Sequence, residues 1–89
     1  MSLSEGSYDP ETLALMALGW VLADGRRAER LLSLTGLTPD QLRSGAKNAH
    51  VLAEVLRFLE SHEPDLIAAA EHLNISPEAL VSARRSLNT

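Results

Sequence analysis

Apolar residues recur along most of the chain three and four positions apart, and no stretch alternates apolar with polar residues as a half-buried strand does. The pattern predicts helices at about 10–24, 26–35, 39–45, 47–61, 64–73 and 77–87. The fourth has a wide apolar face, built from Val51, Leu52, Val55, Leu56, Phe58 and Leu59 and interrupted only by Glu54, Arg57 and Glu60. The first is unusual. Leu13, Met16, Ala17, Trp20 and Val21 form one apolar stripe, but Leu15, Leu18 and Leu22 form a second. A helix apolar on both sides is either central in its domain or covered on its second side by another chain. Burial within the domain is the favoured reading, with the fourth helix packed on the first. Leu15, Leu18, Trp20 and Leu22 are the candidate interaction surface if a partner covers the second side. Gly19, beside Trp20, permits close backbone approach and costs roughly 1 kcal/mol of helix propensity.

The polar residues punctuate these segments. All four prolines precede an acidic residue, in "DPE", "TPD", "EPD" and "SPE". Proline suits the first helical position, a preceding Asp, Thr or Ser caps free N–H groups, and an acidic residue meets the positive end of the helix dipole. Asp9, Thr38, Glu63 and Ser76 are thus read as caps, Glu63 being the poorest. Gln41 completes a capping box with Thr38, and Tyr8 is placed to staple onto Leu13. Gly25, Gly36, Gly45 and Asn74 follow apolar segments and are read as left-handed helix stops.

One phrase recurs. "LTGLTPDQL" (Leu34–Leu42) is echoed 38 residues later by "HLNISPEAL" (His72–Leu80). The correspondence runs back without a gap through Ala17–Leu42 and Val55–Leu80, pairing Leu18 with Leu56, Trp20 with Phe58 and Pro39 with Pro77. Duplication and convergent reuse of one good turn both account for it. The expected architecture is an all-α, compact, orthogonal-type bundle of five or six short helices in two similar three-helix halves, with an internal repeat of 17–44 on 55–82. Residues 1–8 are expected to be a flexible tail and 9–89 a single helical domain.

Composition narrows the function. With 89 residues there is room for one core. The 45% hydrophobic content includes only Tyr8, Trp20 and Phe58 as aromatics, so that core is aliphatic. Cysteine is absent, which removes disulfides, thiolate metal sites and a thiol nucleophile, and agrees with a cytoplasmic location. The longest uncharged run, Thr12–Ala23, is 12 residues, against the roughly 20 of a membrane span. No basic segment precedes it in the manner of a signal peptide.

The net charge of −4 argues against nucleic acid or anionic lipid as a default partner. "AAEHLNISPEALVSARR" (Ala69–Arg85) does have helix-turn-helix spacing, with Arg84 and Arg85 as the candidate nucleic-acid contacts. The start of its second helix, where base edges and phosphates would be met, carries Glu78, however. Arg26, Arg27 and Arg30 form a basic cluster that could hold a phosphate or an acidic segment, or be a solvated turn with Glu29 as a local partner. His50, His62 and His72 stand on different helices without a second ligand at metal-site spacing. There is no Gly-rich phosphate loop, nucleophile elbow or carboxylate pair on one apolar face. No enzyme, metal, cofactor or small-molecule substrate is expected.

"ETLALMALGWVLAD" (Glu11–Asp24), "LLSLTGLTPDQLR" (Leu31–Arg43) and the segment Val55–Leu87 together resemble a family of small bacterial proteins, mostly alphaproteobacterial: domain of unknown function 3572. The likeness runs from about Pro10 to Leu87, and its most specific parts are the Ala/Leu-rich first helix with Trp20 and the "LTGL" corner. It implies a stand-alone cytoplasmic helical protein and assigns no catalytic or binding residue. The expected function is therefore a non-enzymatic protein-interaction or self-associating module, whose partner is another protein or a second copy in a homodimer. The alternative is a small DNA-binding helix-turn-helix protein using the 64–73 and 77–87 helices.

Overall fold

A computed structural model describes residues 8–88, which form six helices: α1 (Pro10–Leu22), α2 (Gly25–Thr35), α3 (Pro39–Ser44), α4 (Ala49–Glu60), α5 (Glu63–Leu73) and α6 (Pro77–Leu87). No strand occurs among the described residues. Apart from Tyr8, the expected tail lies outside them; Tyr8 itself packs against the core.

Side-chain caps account for most of the helix starts. Asp9 accepts from the Thr12 N–H at 2.7 Å, and Asp24 from those of Arg26 and Arg27 at 2.9 and 3.2 Å. These N–H groups hold both carboxyls below the ordinary aspartate range, Thr12 acting on Asp9 and Arg27 then Arg26 on Asp24. Thr38 and Gln41 form the full capping box expected of them. Asn48 accepts from His50 and Val51, so α4 begins at Ala49, two residues later than its apolar pattern suggested. Ser76 caps α6.

Three readings of the punctuation are corrected. Glu63 is the first residue of α5 rather than its cap; His62 occupies the cap position and makes no side-chain cap bond. Gly25 opens α2 instead of closing α1, because Asp24 caps from just ahead of it. Gly45 ends α3 at φ −93°, outside the left-handed region. There glycine answers a close approach: a Cβ would lie 2.6 Å from the Gln41 carbonyl oxygen and 2.7 Å from Val51 Cγ2.

The echoed corners do share a geometry. Gly36 (φ 75°) and Asn74 (φ 64°) are the left-handed residues of the described chain, and each is followed two positions later by a cap, Thr38 or Ser76. The closures differ in detail. At the first corner the Gly36 N–H returns to the Leu32 carbonyl at 3.0 Å, and the Leu37 N–H donates to Thr35 Oγ1. At the second, Ile75 donates to Ala70 at 3.0 Å and Asn74 to Glu71 at 3.2 Å, a Schellman closure.

These stops fold the chain so that α1, α4 and α6 pack on one another, with α2 against α1 and α4, and α5 against all three. The core is aliphatic apart from Phe58, and among the described residues it holds no polar or charged side chain. Leu31, Leu52, Leu56, Leu59, Leu80, Val21 and Val55 are its largest fully buried members. Small residues predominate among the buried positions of α5 and α6: Ala69 and Ala70 on α5, Ala79 and Ala83 on α6. The halves have the same helix order, but their third helices differ in role. α3 has six residues and one buried anchor, Leu42, whereas α6 has eleven and sits against both α1 and α4. The Cα radius of gyration is 12.0 Å, matching the roughly 12 Å expected of a folded chain this long.

Candidate functional site: the outward line of α1

α1 touches α2, α4, α5 and α6. That explains its apolar content on most sides: Leu13, Ala14, Ala17, Leu18 and Val21 are all buried. The four candidate residues then part company. Leu18 is 7% exposed and belongs to the core. Trp20 is half-buried, and its ring is covered by its own chain: the Arg27 guanidinium lies 3.7 Å from the ring centroid, and Arg27 Nη2 donates to the Trp20 carbonyl at 2.6 Å. Leu15 and Leu22 remain outside, 41% and 48% exposed.

Leu15, Gly19 and Leu22 follow the i, i+4, i+7 spacing of one helix face. Gly19 is exposed, and a Cβ added there would meet nothing within 4 Å. Its lack of a side chain is therefore not required by packing inside the molecule. The run Thr12–Ala23 contains no charge. The line is thus an uncharged apolar ridge with bare backbone at its middle. Leu34 on α2 and Ile67 on α5, 68% and 43% exposed, are the other large apolar side chains in the open among the described residues.

The basic clusters are largely engaged. Arg27 is held by Trp20 and by Asp24, 3.6 Å away. Arg30 binds Asp65 on α5 at 2.6 Å, and His62 Nδ1 reaches the same carboxylate oxygen at 3.2 Å. Glu29, the local partner anticipated from sequence, takes part in neither pair. Arg84 donates through Nε to Glu60, joining α6 to α4. With its amide oxygen turned toward the donors, Asn88 accepts from Arg57 and Arg84 at 3.1 and 3.0 Å. Of the two candidate nucleic-acid contacts, Arg85 is the exposed one. A charge reversal at Arg84 would therefore perturb α4–α6 packing as well as surface charge.

Among the described residues no three His, Asp or Glu side chains gather as metal ligands would, and no helix is long and apolar enough to cross a membrane. The polar pairs missed from the sequence, Arg30–Asp65 and Glu60–Arg84, link residues 35 and 24 positions apart. Local spacing gives no sign of either.

No curated protein and no solved structure matches the chain. A family model matches it over residues 7–89, so the chain belongs to that family, described as a protein of unknown function (DUF3572).

Proposed function

We propose that the chain is a non-enzymatic protein-interaction module that self-associates through the outward line of α1, acting in the reducing cytoplasm with which its lack of cysteine agrees. The observation that carries this reading is Gly19, bare and unobstructed between two exposed leucines in a helix whose other sides are packed. A second copy suits the line because two α1 helices crossing antiparallel near Gly19 bring Leu15 of each toward Leu22 of the other. That is the self-complementary arrangement a two-fold interface needs, and the absence of charge from Thr12 to Ala23 leaves nothing to repel. With only two exposed leucines on the line, the association is expected to be weak. A DNA-binding role for α5 and α6 has less support, since Arg84 is taken up by Glu60 and Glu78 stands exposed at the start of α6.

Light scattering on a sizing column, over a concentration series, tests the proposal. The parent's apparent mass should climb from 9.6 kDa toward twice that value, while Leu15→Glu stays at the monomer mass. A parent that remains monomeric at every concentration would overturn self-association.

A further inference from the structure

A second face, remote in sequence from α1, has a chemistry of its own. Between α5 and α6 lies an open groove of about 350 Å³, lined by Leu66, Ile67, Pro77 and Val81, with Glu63 and Glu78 also on its wall. Ile67 is exposed; Leu66, Pro77 and Val81 are half-buried, so apolar surface remains accessible in the groove. Both glutamates are exposed, and neither has an ion-pair partner among the described residues. By contrast Glu54 and Glu60 on α4 are each paired with an arginine.

We infer that this groove docks a segment of a partner protein in which apolar side chains are flanked by lysine or arginine. Charge complementarity selects the occupant. Glu63 and Glu78 stand in the first turns of α5 and α6, where the helix dipole contributes only about half a positive charge. A full carboxylate charge outweighs it, so the rim is negative and attracts cations. The same rim repels phosphates, which separates this occupant from a nucleic acid even though the α5–α6 corner has helix-turn-helix spacing. An acidic or purely apolar segment would leave the two carboxylates unpaired beside it.

The inference rests on reading the chain as an interaction module, but not on the α1 line, so the two fail separately. The probe is a capped pentapeptide, Lys-Leu-Ala-Leu-Lys, titrated into the isotope-labelled full chain while backbone amide shifts are followed. The expected result is a saturable set of shifts centred on Leu66, Ile67, Glu78 and Val81. Exposed ion pairs are modest, so Glu63→Gln together with Glu78→Gln should weaken binding about five- to tenfold. The capped counterpart Glu-Leu-Ala-Leu-Glu should bind less well by a similar factor. Ile67→Ser, which leaves the rim charge intact, should weaken the peptide as well. Shifts centred on Leu15 and Leu22, equal binding of the two peptides, or no saturation at millimolar peptide would each overturn the assignment. Helical circular dichroism of the variants should match that of the parent, because all three positions are exposed.

Discussion

Leu80→Ala is expected to lower the unfolding free energy by about 3–4 kcal/mol, the middle of the range for a buried leucine truncated to alanine. Leu80 has no exposed surface and lies on α6, the helix packed against both α1 and α4. Ala79 and Ala83 flank it on its own helix, and α5 contributes Ala69 and Ala70 to the same core. Side chains this small cannot swing into the space vacated, so the cavity persists and its cost adds to the lost transfer energy. In a domain this small each kcal/mol shifts the melting temperature by about 4–8 °C, which puts the variant at least about 12 °C below the parent. Urea unfolding followed by circular dichroism gives the free energy directly. A loss under about 1 kcal/mol would mean that α6 is not seated between its two neighbours.

The second large effect is a pair of opposite signs from the same glycine-to-alanine change made at two sites. Gly45→Ala should destabilise the fold by about 2 kcal/mol. Its methyl group would arrive 2.6 Å from the Gln41 carbonyl oxygen, which already accepts from the Gly45 N–H at 2.8 Å and cannot withdraw without breaking that bond. The other obstruction, Val51 Cγ2, belongs to a β-branched side chain with restricted rotamers. Gly19→Ala should instead stabilise the monomer by about 0.5–1 kcal/mol, because the site is helical, open and more ordered with alanine. The two variants, unfolded in urea at low micromolar concentration, should move to opposite sides of the parent. Movement in the same direction would contradict the geometry assigned to α3 and to the outward face of α1.

Where the chain could be read from its sequence, the physics was local. Caps and proline starts act within a turn, so Asp9, Thr38, Gln41 and Ser76 announced α1, α3 and α6 correctly, whereas the caps of α2 and α4, Asp24 and Asn48, went unread. The left-handed stops were legible at Gly36 and Asn74, each of which closes one helix and is followed two residues later by the cap of the next. They misled at Gly25 and Gly45 because glycine serves several needs: one simply opens a helix behind Asp24, and the other avoids a contact with Val51 that only the fold creates. The α1 line was half legible. Its double stripe was plain, yet three-dimensional packing alone placed Leu18 inside and Leu15 and Leu22 outside. Trp20 gave no hint of being covered by Arg27 seven residues on. The α5–α6 groove was hidden for the same reason, since Ile67 and Val81 are brought together by the turn at Asn74.

On the proposed reading, the outward line of α1 is surplus to the fold and free to meet a partner. This is tested by the stability of the double variant Leu15→Glu, Leu22→Glu, measured by urea unfolding at low micromolar concentration, where self-association contributes little. If both leucines are surface groups, the unfolding free energy stays within about 0.5 kcal/mol of the parent. A loss of about 2 kcal/mol or more would place these side chains in the core and contradict the account.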